Sequence, residues 1–412
     1  MPADSASDHD VAVVGASIAG CSAAIMFARA GCSVLLIERA PDMSAYKTVC
    51  GHFIQASALP VIERIGLLEP MMAAGAVRSR VHMWTRWGWI RPAPDADVVA
   101  SINLRRMHLD PMLRRLAADE PGVELRLGAT LTALDQRSET VELEFSDTAS
   151  NATSATARLV VGADGSRSTV AKLAGFRERA TRNGRFNYAA YFTGPDSPGS
   201  PNVAGWFGDP QWAGSFPTDS GLTGYYIMPT KDRLPAFKED LEGSVRATIA
   251  ELEDAPPVDQ LTLVGKIIGR TDLTGVRRRR SKGRIALIGD AALTSDPLTG
   301  VGCGWGLQSA EWLVDSVAPA IAGGRSPRPG LRRYRRKARV SLFPHALMVD
   351  LYARGGRFDP GQRLIFSGAT RDAKLAAEVH RVATRSANGM RVLRPDYFAR
   401  VVRAQVRRLT TR

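Results

Sequence analysis

The sequence is poor in the residues that build disulfide-rich or metal-centred domains. It has four cysteines, Cys21, Cys32, Cys50 and Cys303, and none of them forms a CxxC pair or joins a cysteine–histidine cluster. We therefore predict neither a disulfide scaffold nor a metal site.

Long hydrophobic runs are also missing. The most apolar stretch near the start, residues 11–37, is interrupted by Arg29 and by many small residues, so it does not predict a membrane span. Residues 1–10 are acidic and polar and do not resemble a secretory signal. With 44% apolar and 23% charged residues in a chain of 412, the composition is that of a globular protein. We expect a reduced, soluble and cytoplasmic protein.

Positive charge is concentrated at one end of the chain. Residues 326–412 hold 21 Lys/Arg and 5 Asp/Glu, whereas the first 325 residues hold 34 and 36. A solvated basic face is the simplest interpretation, but an anionic membrane surface or an acidic protein partner would also suit such a segment. The arginine run at 277–280 is interpreted as a solvated connector, and we expect no nucleic-acid partner.

A β-α-β unit is predicted near the start of the chain. The β-branched run 11–14 has strand composition, residues 19–29 have helical length, and Gly31 is suited to end that helix. The apolar run 34–37 predicts the next strand, which ends at Glu38. This is the size of one right-handed crossover.

The turn after the first strand has a phosphate-binding pattern. The segment GASIAG has the spacing of G-x-G-x-x-G, with Ser17 in place of the second glycine. Gly15 permits the tight turn, a small residue at 17 lets the backbone approach a pyrophosphate, and Gly20 lets the helix pack against the strand. Glu38 can accept hydrogen bonds from ribose hydroxyls. The pattern predicts a dinucleotide site without separating NAD from FAD.

Two later strands also run into glycine-rich loops, at 157–162 and 284–289, and a helix is predicted from Gly302 onward. Between these strands, residues 76–100 and 181–277 are rich in aromatic residues, proline and glycine, with short β-like runs. We predict an α/β (α+β) protein with a Rossmann-like FAD-binding domain, an inserted antiparallel-sheet substrate domain and a basic helical C-terminal segment. The predicted boundaries are 1–75, 101–180 and 278–330 for the first domain, 76–100 and 181–277 for the second, and 331–412 for the last segment.

Three segments carry a family resemblance. GADGSRSTVAKLAG (162–175), RIALIGDAALTSDPLTGVGCG (284–304) and RRMHLDPMLRRL (105–116) resemble motifs of the FAD-dependent aromatic hydroxylases. This superfamily is typified by p-hydroxybenzoate hydroxylase and is related to flavin halogenases and geranylgeranyl reductases. The resemblance implies FAD as the cofactor and NAD(P)H as the reductant.

The motifs also imply which residues bind the cofactor. Asp290 is suited to the ribityl chain, and the helix after Gly300 would direct its N-terminus at the flavin ring. The family's hydroxylases commonly have an asparagine after this glycine pair, and this sequence has Gly304 there. The expected cofactor-binding residues are Gly15, Ala16, Ser17, Ile18, Ala19, Gly20, Glu38, Arg39, Lys47, Arg106, Asp164, Asp290, Pro297, Gly300, Val301 and Gly302.

Two residues are candidates for catalysis, Cys50 and His52, because in the family this stretch passes the flavin ring. A histidine there could deprotonate a phenol, deliver a proton or attach the flavin covalently, although a turn-capping histidine is equally compatible with the sequence. For Cys50, a packing role is the simpler interpretation.

Aromatic residues predict a cavity for a large flat substrate. We expect them to form an apolar wall of the second domain: Trp84, Trp87, Trp89, Trp206, Phe207, Trp212, Phe216, Tyr225 and Tyr226.

The leading interpretation is a monooxygenase that hydroxylates or epoxidises an aromatic or polyketide-like molecule in specialised metabolism, with an acidic carrier protein as a candidate partner. A halogenase is disfavoured because no lysine occurs between Lys47 and Lys172. A reductase of isoprenoid double bonds stays open, since Cys50-Gly51 and a basic tail suit one. A protein that keeps FAD only as a structural element is the fourth alternative.

Overall fold

The computed structural model describes residues 8–354, 357–387, 395–397, 399–401 and 403. The strands, in chain order, are β1 His9–Val14, β2 Val34–Glu38, β3 Phe53–Ile54, β4 Val77–Ser79, β5 Val81–Thr85, β6 Gly88–Ile90, β7 Ser101–Asn103, β8 Val123–Leu127, β9 Thr130–Gln136, β10 Val141–Ser146, β11 Ala152–Gly162, β12 Glu178–Thr181, β13 Asn187–Thr193, β14 Val203–Phe207, β15 Trp212–Pro217, β16 Thr223–Met228, β17 Thr262–Arg270, β18 Gly275–Arg278, β19 Ser281–Lys282 and β20 Ile285–Leu287.

The helices, in chain order, are α1 Ile18–Arg29, α2 Leu59–Arg64, α3 Leu68–Ala73, α4 Arg106–Ala118, α5 Thr169–Leu173, α6 Leu234–Glu239, α7 Leu241–Ala250, α8 Val301–Ala322, α9 Arg328–Ala353, α10 Pro360–Ala369 and α11 Ala373–Ala383. Within the described residues, no helix is both long enough and apolar enough to cross a bilayer.

A central sheet holds the three strands that lead into glycine-rich loops. Its order is β19-β20-β11-β1-β2-β8, and it is extended by β10, which pairs antiparallel with β11, and by β9, which pairs antiparallel with β10. Strands β20, β11, β1, β2 and β8 are parallel, as expected for crossovers that run through helices. The carboxyl ends of β1, β11 and β20 therefore meet at one edge, where ligands bind in open α/β sheets.

The middle strands of the central sheet, β1 and β2, are buried on both faces. Val11 and Val13 of β1 pack with helices α1 and α8, while Ala12 and Val14 pack on the side of β9, β10 and α5. This explains why β1 and β2 are continuous apolar runs rather than alternating ones. Helix α1 begins one residue earlier than predicted, at Ile18, and ends at Arg29 as predicted.

A second sheet has the order β17-β13-β16-β15-β14-β5-β6. Its pairs are antiparallel except β14 with β5, which run parallel. The sequence predicted an antiparallel sheet; the parallel pair arises because β5 enters from the first half of the chain, beyond the reach of a hairpin. Strand β4, at the start of the predicted insert, pairs with β7 in a separate small sheet with β3.

The two faces of the second sheet bury different groups. One face packs against helices α8 and α9 with side chains that include Trp212, Phe216 and Tyr226. The opposite face carries Phe192 and Tyr225 and is covered by α6 and α7. The α/β class, with a Rossmann-like sheet, a second β domain and a helical C-terminal part, is confirmed.

Candidate active site

The turn between β1 and α1 is too tight for any residue but glycine at two positions. Gly15 has φ of 103°, and a Cβ there would lie 2.7 Å from the carbonyl oxygen of Ala163. A Cβ on Gly20 would lie 1.8 Å from the Gly15 carbonyl oxygen. The first turn of α1 therefore packs closely against β1 and against the loop after β11. The backbone amides of this first turn face the edge of the sheet.

The N-terminus of α1 has the features of an anion-binding site. Ser17 is the N-cap residue, but its side chain caps no backbone amide. Its hydroxyl instead accepts a hydrogen bond of 2.7 Å from Nη2 of Arg106, a guanidinium that Asp110 also holds at 2.7 Å. Uncapped amides of Ile18 and Ala19 and a fixed guanidinium make this end of the helix positive.

Another predicted residue braces this turn. Glu38, at the end of β2, accepts the amide protons of Ala16 at 2.8 Å and Ala40 at 2.9 Å, one on each carboxylate oxygen. Each oxygen keeps a free lone pair for a ribose hydroxyl. Arg39 follows and is exposed. The sequence analysis missed Arg114, whose buried guanidinium donates to the Ala16 carbonyl at 3.0 Å.

The other two strand ends place Asp164, after β11, and Asp290, after β20, at the same edge of the sheet as this turn. Asp164 accepts the amide proton of Val170 at 3.0 Å through one oxygen, and its other oxygen, Oδ1, is buried with no hydrogen-bond partner in the described part of the chain. Asp290 forms an ion pair of 2.9 Å with Lys47, and this carboxylate raises the pKa of Lys47 to about 12.

The loop between Pro297 and α8 is shaped by one glycine. Gly300 has φ of 63° and is the N-cap residue of α8, and a Cβ there would lie 2.6 Å from the Phe53 ring. Val301 and Gly302 follow in the first turn, which has no acidic residue and no side-chain cap. The helix therefore directs free amides and a positive dipole end toward the same edge as α1.

The cysteine pair lies at this edge. The Cys50 and Cys303 sulfur atoms are 3.8 Å apart, and Nη1 of Arg106 donates to the Cys50 sulfur at 3.2 Å. The hydrogen bond from Cys303, together with the charges of Arg106 and Lys47, lowers the pKa of Cys50 despite its burial. The same pairing raises the pKa of Cys303.

His52 is buried and strained. Its φ is 35°, a conformation uncommon for residues other than glycine, and its side chain is 1% exposed. Its Nδ1 atom lies 3.1 Å from the hydroxyls of both Tyr191 and Tyr226. Tyr226 donates to the Cys50 carbonyl oxygen at 3.0 Å. The Nε2 atom of His52 has no hydrogen-bond partner among the described residues.

Burial determines the protonation states of this histidine–tyrosine cluster. Burial lowers the pKa of His52 to about 3 and raises the pKa of Tyr191 and, further, that of Tyr226. At neutral pH the imidazole is neutral and both phenols keep their protons.

The aromatic residues expected to form one wall lie on both faces of the second sheet. Trp87, Phe207, Trp212, Phe216 and Tyr226 pack on the face toward α8. Trp84, Trp89 and Trp206 pack in a cluster with Ala204 and Ala213, and Tyr225 packs beneath α6 and α7. For these four residues the prediction of a common wall is wrong, because successive side chains of a strand point to opposite faces.

The structure thus brings together residues from distant parts of the chain. Cys50, His52 and Arg106 lie beside Ser17 and the start of α8, and Lys47 reaches Asp290. Sequence reasoning missed Tyr191 as a site residue and assigned Tyr226 only to the aromatic wall. The alternation of GYYIM indicates that Tyr225 and Tyr226 face opposite ways, but not which one faces the site.

These features fit FAD. The glycine cradle at Gly15, the positive α1 end and the open Asp164 oxygen suit a diphosphate and its ribose and ribityl groups. Residues 8–342 match the FAD binding domain family, and the chain belongs to that family. The predicted FAD cofactor and the resemblance to FAD-dependent aromatic hydroxylases are confirmed.

Two hydroxylases and a flavoprotein of known structure are similar to this chain. A 3-(3-hydroxy-phenyl)propionate/3-hydroxycinnamic acid hydroxylase of Burkholderia cenocepacia is 28% identical over 78% of this chain and 59% of the relative. A 3-amino-4-hydroxybenzoate 2-monooxygenase of Streptomyces cremeus is 26% identical over 79% of this chain and 82% of the relative. A flavoprotein/dehydrogenase structure from Cytophaga hutchinsonii has a TM-score of 0.81 at 15% identity, over 98% of this chain and 100% of that chain. The chain spans about three fifths of the Burkholderia hydroxylase.

Proposed function

We propose that the protein is a FAD-dependent monooxygenase that uses NAD(P)H and O2 to hydroxylate or epoxidise an aromatic or polyketide-like molecule in specialised metabolism. The observation that carries the proposal is the buried His52–Tyr191–Tyr226 cluster beside the FAD-binding edge, on the aromatic face of the second sheet. The names of the two hydroxylase relatives support an aromatic substrate. We place the reaction in the cytoplasm.

The hydrogen-bond directions in this cluster assign a role to His52. We assign the imidazole proton to Nδ1, with the Tyr226 hydroxyl donating to the Cys50 carbonyl and its oxygen accepting from Nδ1. The buried Nε2 atom is then a free acceptor. A substrate hydroxyl that donates to Nε2 is oriented and made more electron-rich, which favours attack of its ring on an electrophilic oxygen.

The apolar face supplies the dry surroundings that the reaction needs. The Phe53 and Phe216 rings meet edge to face with centroids 5.6 Å apart, and Phe216 packs against Tyr226 at 5.2 Å. Such walls hold a flat ring and keep water out. The chemistry that bound FAD supplies is acceptance of a hydride from NAD(P)H and activation of O2.

The two alternative functions, reductase and halogenase, require different residues at the substrate site. A reductase of isoprenoid double bonds needs an aliphatic channel, whereas this face carries Phe207, Trp212, Phe216 and Tyr226 among its aliphatic side chains. A halogenase needs a lysine in the stretch between Lys47 and Lys172, where the sequence has none. The reductase remains an outcome of the test below.

The test follows NADH and NADPH oxidation in air by the FAD-loaded protein, with a panel of phenols, quinones and polyketide aromatics. Oxidation stimulated by an aromatic compound, with an oxygenated product, supports the proposal. Loss of a substrate double bond under anaerobic conditions would favour the reductase. If activity appears only after a separate flavin reductase is added, the reductant is reduced flavin from a partner enzyme and not NAD(P)H.

The basic C-terminal segment supports a second component of the proposal, an acidic carrier protein that presents the substrate. Helix α9 exposes a positive surface formed by Arg332, Arg333, Arg336, Lys337 and Arg339. Attraction between opposite charges on two proteins accelerates their association, and added salt weakens that attraction. Affinity for acidic carrier proteins that does not change between low and high salt would remove this component.

A further inference from the structure

Two thiols from distant parts of the chain meet beside the FAD-binding edge. Cys50 lies in the loop before β3, and Cys303 lies in the first turn of α8. Their sulfur atoms are 3.8 Å apart, which is van der Waals contact. Cys50 is partly exposed and Cys303 is only 6% exposed, so a small molecule meets the Cys50 sulfur first.

Positive charge is arranged around the Cys50 sulfur. Nη1 of Arg106 donates to this sulfur at 3.2 Å, and Asp110 holds the same guanidinium at 2.7 Å. The backbone amide of Lys47 also donates to Asp110, at 2.9 Å, so the loop that carries Cys50 is tied to α4. The hydrogen bond from Cys303, followed by the charges of Arg106 and Lys47, lowers the pKa of Cys50. This environment favours the thiolate, which is the nucleophilic form of cysteine.

The other two cysteines provide a contrast. Cys21, in α1, is fully buried, and Cys32 is 3% exposed. Burial raises the pKa of both thiols, to about 11 for Cys32. Buried thiols of this kind are inert packing groups. Thiol reactivity is therefore expected at Cys50 rather than at Cys21 or Cys32.

The Cys50–Cys303 pair can close into a disulfide with a small movement. The bond is about 2.05 Å long, so the sulfur atoms must approach each other by roughly 2 Å. Cys303 is fixed on a helix, whereas residues 47–52 contain no helix or strand. Side-chain rotation and a shift of this loop supply the movement.

We propose that Cys50 and Cys303 form a dithiol site that a peroxide oxidises, with Cys50 as the attacking thiolate and Cys303 as the resolving thiol. The Cys50 sulfur attacks one oxygen of H2O2, the O–O bond breaks, and a sulfenic acid and a hydroxide form. The Cys303 sulfur then attacks the Cys50 sulfur, and the S–O bond breaks as the S–S bond forms. The thiol proton and a solvent proton convert the two hydroxides to water, so the thiols lose two electrons and H2O2 gains them.

Oxidation of this pair would change the surroundings of the FAD-binding edge. A thiolate accepts the Arg106 hydrogen bond with a full negative charge, which a disulfide sulfur lacks. The bridge would also tie to α8 the loop that carries His52 and whose Cys50 carbonyl accepts from Tyr226. A flavin that reduces O2 without oxygenating a substrate releases H2O2, so the proposed function would supply the oxidant at this edge.

The test treats the FAD-loaded full chain with H2O2 in the absence of NAD(P)H and of any substrate, so its outcome does not depend on the proposed function. Free thiols are then blocked, the protein is digested with trypsin without reduction, and the peptides are analysed by mass spectrometry. We expect residues 48–64, which contain Cys50, to be cross-linked to residues 285–325, which contain Cys303. Dithiothreitol should reverse the link. Cys50 should be oxidised at least about ten-fold faster than Cys32.

The variant Cys303→Ala separates the two steps, because it removes the resolving thiol and retains Cys50. Oxidation should then stop at the sulfenic acid of Cys50, which dimedone traps in at least about ten-fold higher yield than in the native chain. Cys32→Ala is the matched control and should form the same cross-link at the same rate. The absorption of bound FAD and the melting temperature show whether each variant is folded.

The native chain alone can overturn the proposal, without any variant. Equal oxidation rates at Cys50 and Cys32 would show that the charges around Cys50 do not activate it. Oxidation of Cys50 with no link to Cys303, or a link that forms only between two molecules, would remove Cys303 as the resolving thiol.

Discussion

At the scale of single residues, the account depends on the hydroxyl of Tyr226, which links His52 to the backbone of the loop at Cys50. Tyr226→Phe removes the acceptor of the imidazole proton and the donor to the Cys50 carbonyl. We expect kcat to fall about 10–100-fold with a smaller change in KM, which is at or below the range of about 10²–10⁴-fold for a general acid–base group, because Tyr226 acts through His52.

A matched control lies next to it. Tyr225 is on the same strand but packs on the opposite face, with a hydroxyl that has no partner in the described part of the chain. Tyr225→Phe should leave kcat unchanged. Steady-state kinetics with equal losses for the two variants would show that the cluster at His52 has no role in turnover.

The same residues show how far the sequence could lead. His52 was singled out from its place in the loop after the first β-α-β unit, and Arg106 and Asp290 from motif spacing. Tyr191 could not be identified, because its contact with His52 joins residues 139 positions apart.

At the scale of elements, the junction before α8 depends on Gly300. An alanine there is strained at φ of 63° and would place its Cβ 2.6 Å from the Phe53 ring. We expect Gly300→Ala to lower the free energy of unfolding by about 2–4 kcal/mol, from left-handed strain plus overpacking. Urea unfolding of the FAD-loaded protein measures this loss.

Gly265 provides the comparison, because its φ is 77° and an added Cβ meets nothing within 4 Å. Gly265→Ala should cost only about 1 kcal/mol, from strain alone. Replacing Phe53 by Leu in the Gly300→Ala background should recover part of the loss. A loss no larger at Gly300 than at Gly265 would contradict the overpacking argument.

Element boundaries were predictable where the apolar pattern is strong and less so where pairing is remote. The strand predicted at 284–289 is shorter, Ile285–Leu287, because the chain turns at once into the loop that carries Asp290. The parallel pairing of β5 with β14 joins segments more than 100 residues apart, and no local pattern could indicate it. The division of the aromatic residues between two faces follows from the alternation of side chains along each strand.

At the scale of the whole molecule, buried histidines make stability depend on pH. Burial lowers the pKa of His52 and His345 to about 3 and of His82 and His380 to about 4. In the unfolded chain these groups titrate near pH ~6.5, so the unfolded state takes up protons first as the pH falls. Stability is greatest above that pH and is lost as the pH falls from about 6.5 to about 3, by at most about 2 kcal/mol per histidine at pH ~5.

Urea midpoints measured between about pH 7.5 and pH 5 test this dependence. The variant His380→Gln should show a shallower decline, because glutamine does not titrate and its oxygen can accept the Val81 amide proton that His380 Nε2 now accepts. An unchanged slope in this variant would mean that His380 is not one of the groups responsible.

The central claim is that this chain carries out FAD-dependent oxygenation of an aromatic molecule, and isotopically labelled dioxygen tests it most directly. The FAD-loaded protein would be supplied with NAD(P)H, labelled O2 and the aromatic compound that best stimulates NAD(P)H oxidation, and the product analysed by mass spectrometry. The account predicts one labelled oxygen atom in the product. A product that is reduced, halogenated or unlabelled, or a protein that cannot retain FAD at all, would contradict it.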